Sequence, residues 1–265
     1  MKAAAYPAFA LTAFQSRLVY RSQVWASAFG DLVSIFARVA IWTAAFAGAS
    51  QVDGITLPEM ITYSLIAGPL LYWEYSRVLY DVGDAVRTGD VAVFLLKPLH
   101  YPSYLLSTHF GHFAFELVAI VVPVTLVIGF TFGLLPPASL FHGLMFLPYW
   151  AVSWLILFTL ACLCGLLAFW LLTAFSLEWF LMAIMSLFSG AVIPLWFLPP
   201  PLATAFGYLP FAWISYYPAA VYLGKLDVTA TWTHLGIGLI WLVLITAAVL
   251  ALWAKARTRL VVQGG

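Results

Sequence analysis

Charge is what this chain lacks most. Only 8% of its 265 residues are Asp, Glu, Lys or Arg, against 65% that are hydrophobic. A soluble globular domain carries about 25% charged and about 45–50% apolar residues. The deficit excludes an ordinary water-soluble enzyme or binding module. A net charge of +1 with no basic cluster gives no footing for nucleic acid. Strict two-residue alternation is missing as well, which excludes an outer-membrane barrel. Cysteine is scarce: Cys162 and Cys164 stand two apart in an apolar run. On a helix that spacing points them to different faces, so buried free thiols are expected rather than a disulfide or a shared metal. There is no GxxxxGK[ST] loop, no GxSxG and no HExxH. No nucleotide-binding or hydrolytic signature is therefore carried. Near the N-terminus only Lys2 precedes an aromatic, polar-interrupted stretch, so no cleavable signal peptide is expected.

What is present is a series of long apolar runs. A membrane-spanning helix needs about 20 such residues. Spans are expected at roughly Ala28–Ala49, Pro58–Leu79, Ser103–Leu134, Phe141–Leu172, Trp179–Ile193 and Leu235–Trp253. Ahead of them, residues from about 8 to 26 place Phe14, Leu18 and Trp25 along one face, with Arg17 and Arg21 able to snorkel. That pattern predicts an amphipathic helix in the membrane interface. The fold class is thus an all-α polytopic membrane protein with six transmembrane helices in one domain, 1–265.

One stretch fits neither a span nor a loop. Gly190 to Gly224 holds six prolines and no charge. Proline breaks a helix interior, and apolar sequence of this kind is no ordinary solvated loop. Broken backbone at membrane depth is tolerated where protein or a cavity surrounds it. Residues 194–224 are therefore expected to form a re-entrant helical hairpin before the last span. With both termini in the cytoplasm, nine Lys and Arg fall on the inner side and only Lys225 on the outer side. The positive-inside rule then puts the hairpin outside.

The same orientation puts Asp81–Lys97 in the cytoplasm. Asp81, Asp84, Arg87 and Asp90 stand three to four apart, the spacing of a short polar helix, weakened by Gly83 and Gly89. An apolar patch, Val91–Leu96, follows and closes at Lys97-Pro98. At the inner end of the second span, Glu74 and Arg77 are spaced to pair. The segment reads either as a solvated loop with an interfacial anchor or as a docking helix for a separate cytoplasmic protein.

The run RTGDVAVFLLKPLHYP resembles the segment after span two of bacterial type-2 ABC export permeases, in the branch with paired permeases. The run from Ser189 to Gly224 resembles that branch's pattern before its last span, through Ser189, Gly190, Pro194, Leu195, Leu209, Pro210, Phe211, Tyr217, Pro218 and Gly224. The Pro199-Pro200-Pro201 triplet departs from the single proline usual there and predicts a stiffer tip. The resemblance implies a permease subunit in the bacterial inner membrane. It implies a second permease, identical or paralogous, and a cytoplasmic ABC ATPase dimer. ATP and Mg would sit on that partner, with no cofactor on this chain. Residues 81–98 would couple to the ATPase through Asp84, Arg87, Asp90, Leu95, Lys97 and Pro98. The outer gate would use Pro194, Leu195, Trp196, Phe197, Pro210, Phe211, Tyr217 and Pro218. The cargo would be an amphiphile: a drug, lipid, peptide or glycolipid.

Polar groups inside the spans are costly and usually face a bundle interior. Asp31, Ser34 and Arg38 share a face of the first span, and a structural pair near the inner interface is expected. His109, His112 and Glu116 share a face of the third. Zinc can take such groups. Three ligands from one helix rarely converge, however, so a polar interior face is expected and no metal. Arg38, His112 and Glu116 are candidates for the translocation path. Glu178 is expected in the inner turn between the fourth and fifth spans, solvated or facing the ATPase. Two other readings stay open: an ion-coupled transporter or channel using Glu116 and the histidines, and an intramembrane transferase using His109 or His112.

Overall fold

The computed structural model describes residues 5–19, 21–68, 72–171 and 174–259. It is 80% helix, with no strand among the described residues. Twelve α-helices are described: α1 (Ala5–Arg17), α2 (Arg21–Ala45), α3 (Leu57–Ile66), α4 (Tyr72–Thr88), α5 (Asp90–Leu95), α6 (Tyr101–Glu116), α7 (Val122–Phe132), α8 (Leu140–Leu166), α9 (Ala174–Phe188), α10 (Pro200–Gly207), α11 (Ala212–Tyr222) and α12 (Val228–Arg259).

Among the described residues, four stretches are long and apolar enough to cross a membrane: Val24–Ala45, Tyr101–Phe132, Leu140–Phe169 and Val228–Thr258. They coincide with the expected first, third, fourth and last spans. The third contains a π-helical turn, Leu117–Val121, that joins α6 to α7. Pro123 follows at once and supplies no N–H to the helical ladder. The helix re-registers there instead of breaking.

The middle of the bundle is α8. Its second half, from Val152 to Leu166, is almost wholly buried. It packs against α4, α11 and α12. Two side chains of α8 tie it to backbone of its neighbours. Tyr149 donates to the carbonyl of Thr231 at 2.6 Å, and Ser153 donates to that of Ile214 at 2.9 Å. Such bonds matter more in a membrane, where water does not compensate a lost partner.

Three expected elements come out differently. No single helix covers Pro58–Leu79. α3 ends at Ile66 and α4 begins at Tyr72, with Gly68 and Pro69 following α3 in the sequence. A residue before proline is biased away from helical backbone. Where a fifth span was expected the chain forms the short helix α9, whose apolar part, Ser176–Phe188, is shorter than the four candidate spans. The helix expected over 8–26 is divided, since α1 stops at Arg17 and α2 starts at Arg21. α1 runs beside α6 in the same direction. The Tyr6 hydroxyl accepts from the backbone N–H of His100 at 3.2 Å; Phe9 lies on Tyr104 and Phe14 on Phe115.

Candidate functional site

A polar ladder joins α4 to α6. Arg77 is 2.7 Å from Glu116, and His109 Nε2 is 3.3 Å from Asp81 Oδ2. Arg77 and Asp81 are one turn apart on α4. Glu116 and His109 are two turns apart on α6. The helices therefore meet through one face each, in opposite directions. His109 is fully buried. The shared face expected of His109 and Glu116 is present, and its partner is α4. His112 stays beside His109, with ring centroids 5.7 Å apart. Arg77 meets Glu116 from another helix; the expected Glu74–Arg77 pair falls on a side chain outside the described residues. Local sequence offers only i,i+3 and i,i+4 neighbours, whereas Glu116 arrives from another helix. Two charges one turn apart facing two polar groups seven residues apart were the available signal.

Glu178 also differs from expectation. It lies in α9, half-buried, and accepts hydrogen bonds from Ser76 at 2.8 Å and from the Tyr80 hydroxyl. Both donors are on α4, so α9 is pinned to that helix and Glu178 is not in a solvated turn.

Beyond the ladder, α4 runs on to Thr88 as one helix. Asp84 and Arg87 pair at 2.7 Å on its exposed side. Gly89 then takes φ +81° and turns the chain into α5. Asp90 starts α5 and accepts from Thr88 Oγ1 at 2.8 Å. Val91 is fully buried and Phe94 packs against Tyr101 and Tyr104, which anchors the helix. On the other side Val93, Leu95 and Leu96 are exposed, Leu96 by 86%. The Lys97 ammonium sits 4.7 Å above the Phe94 ring, ahead of Pro98.

The broken segment begins where α9 ends. Gly190 adopts φ +79°, a conformation open to glycine and rare for other residues. Three successive carbonyls leave the helical ladder there, and each finds a different partner. Ser189 O accepts from the Tyr216 N–H at 3.0 Å, Gly190 O from the Tyr63 hydroxyl at 2.7 Å, and Ala191 O from Arg38 Nη1 at 2.7 Å. Arg38 lies two-thirds along α2, so the break is held well inside the bundle. Arg38 thus holds the hairpin. Of the expected path residues, His112 and Glu116 stand one turn apart on α6.

The expected gate residues are mostly packed within the chain. Pro194 and Leu195 are buried; Trp196 lies against Tyr63 and Tyr216, and Phe197 stacks on Trp42. Phe211 meets Phe188. The Tyr217 hydroxyl donates to Gly207 O at 2.8 Å, and its ring meets Trp213 and His234. Pro210 and Pro218 are buried, Pro218 inside α11. The proline triplet has a local account. Pro199 flanks α10, and Pro200 and Pro201 open it, where a missing N–H costs nothing. After α11, Lys225 is 2.7 Å from Glu59 in the first turn of α3.

Sequence patterns gave no sign of one feature. A groove of about 460 Å³ lies between the end of α3, the π-turn with α7, and α8. Its walls include Leu65, Leu117, Val121, Leu126, Leu147 and Trp150, and Glu116 is the carboxylate among its lining residues. Arg38 and His112 do not line it. Among the described residues, no three His, Cys, Asp or Glu side chains converge as metal ligands.

The family described as ABC-2 family transporter protein matches residues 32–264. No curated protein and no solved structure matches.

Proposed function

Because the chain belongs to the ABC-2 family of transporters and is a type-2 ABC permease, we propose that it is the membrane subunit of an ATP-driven exporter of amphiphilic molecules. Family membership implies partnership with an ABC ATPase. Hydrolysis then belongs to a separate cytoplasmic ATPase dimer holding ATP and Mg, and this chain transmits force without chemistry of its own. A second permease, identical or paralogous, completes the membrane part. Residues 1–265 act as one permease domain in the bacterial inner membrane with both termini in the cytoplasm.

The six spans are α2, the α3–α4 pair, α6 with α7, α8, α9 and α12. Residues 194–224 form the re-entrant hairpin and outer gate. Holding of the Ser189–Ala191 carbonyls by α11, α3 and α2 supports an inserted hairpin, because water is not needed to satisfy them.

The observation that carries the reading is the course of α4. One helix runs from the Glu116 pair to the exposed Asp84–Arg87 pair and turns at Gly89 into α5, whose free face is apolar. Asp84, Arg87, Asp90, Leu95, Lys97 and Pro98 form the contact with the ATPase. Movement of an ATPase against α5 would pull directly on the α4–α6 ladder. Mild-detergent purification from native membranes tests this. An ATPase should co-purify and its hydrolysis should depend on this chain. Transport indifferent to ATP, with no ATPase attached, contradicts it and favours an ion-coupled transporter.

A further inference from the structure

The groove beside Glu116 has a volume of about 460 Å³, within the usual ligand-site range of about 300–1,000 Å³. Its rim is open: Val122, Leu126 and Leu147 are exposed. One end is polar: Glu116 lines it, and Arg77 meets that carboxylate from α4, outside the groove's walls. From Glu116 to Leu126 the wall is ten residues of helix, about 15 Å. That is half of a hydrocarbon core of about 30 Å, the depth of one leaflet.

A wall that met only lipid tails would need no carboxylate, which is expensive at this depth. The π-turn lies where the polar end begins, and such turns gather at functional sites. We infer that this groove binds a slender amphiphile taken sideways from the bilayer, its apolar chain along α7 and α8 and an uncharged hydroxyl or amide end at the Glu116–Arg77 pair. The inference rests on the exporter reading and specifies its cargo. Charge balance selects the polar end. Glu116 is paired with Arg77 at 2.7 Å, and Arg17 lines the same recess, so the carboxylate is already matched by cations. An ammonium end would bring a like charge to the guanidinium, and a carboxylate end would bring one to Glu116. Both are penalised strongly where the dielectric is low. A hydroxyl or amide donates to the carboxylate that lines the groove and leaves the Arg77 pair intact.

The test uses the full chain in nanodiscs with a dodecanol carrying a mid-chain diazirine, and with amine and carboxylate probes of equal length. The alcohol should label Val122, Leu126 or Leu147 saturably, and unlabelled dodecanol should compete. Leu147→Trp and Val122→Trp fill the groove from opposite walls, and each should lower labelling about tenfold, a loss of about 1.4 kcal/mol in binding. Competition on the unmodified chain decides the matter if either variant fails to fold. Labelling that never saturates and ignores both variants means annular lipid only and overturns the inference. So does equal labelling by the charged probes, or a groove shielded by a second copy of the chain. ATPase co-purification is read from the same membranes. Its absence with saturable labelling defeats the exporter reading alone; its presence without saturable labelling defeats this inference alone.

Discussion

Arg77 illustrates how one side chain holds two parts of the molecule. It is 22% exposed and Glu116 15%, so the pair is neither on the surface nor fully sealed. Exposed pairs are worth under about 1 kcal/mol, and breaking a buried one costs about 3–5. Arg77→Ala should fall between, at about 2 kcal/mol, read as a lowered unfolding midpoint in detergent. Replacing both residues by Leu should recover most of that loss, because no charge is stranded. An Arg77→Ala chain as stable as the parent would remove the ladder from the account. Tyr63 bears on the hairpin in the same way. Tyr63→Phe removes the donor to Gly190 O and leaves a buried carbonyl unpaired, at about 1–3 kcal/mol. Hydrogen exchange should rise around Ser189–Ala191 while α12 is unchanged. His100 gives a pH dependence. Burial, and next the positive charge of Arg257, hold its pKa below 6.5. The folded chain thus takes up its proton at lower pH than the unfolded chain does. Stability from this group is full above about pH 6.5 and is lost as pH falls through the depressed value. Melting measured from pH 8 to 5 should decline less steeply in His100→Asn.

Among elements, α5 depends on a single backbone position. Gly89 at φ +81° sets the angle between α4 and α5, and an alanine forced there costs about 1–2 kcal/mol. Gly89→Ala should therefore weaken ATPase binding while the bundle melts nearly as before, since Gly89 lies at its edge. The sequence marked Gly89 only as weakening a polar helix, as it did Gly83, which α4 runs straight through. The unbroken apolar runs of α2, α6–α7, α8 and α12 were legible, and the prolines of 194–224 announced short helices. The division between α3 and α4 was not read, although Gly68-Pro69 marks the place, because hydropathy continues across it. The π-turn escaped as well: Pro123 alone does not say whether a helix kinks, breaks or re-registers. Arg77–Glu116, Asp81–His109, Glu178 with Ser76 and Tyr80, and the groove all depend on which helices become neighbours. One sequence shows neighbours along a helix, not across a bundle.

For the molecule as a whole, the account is a lever passing between two ends. The end proposed to face outward is fastened by Lys225 to Glu59, and the hairpin by Arg38 and Tyr63. The end proposed to face the cytoplasm is α5, with an exposed apolar face. Cysteine placed at Ala203 should react with an impermeant reagent added from outside, and labelling only from the cytoplasm would invert the topology. The central claim, that α5 receives force from an ATPase, is tested most directly by a photo-reactive residue at Leu96 in native membranes. The account predicts a cross-link to a chain with a phosphate-binding GxxxxGK[ST] loop, strengthened or weakened by ATP. A Leu96 that cross-links only to lipid or water, in membranes where the transporter is active, would contradict it.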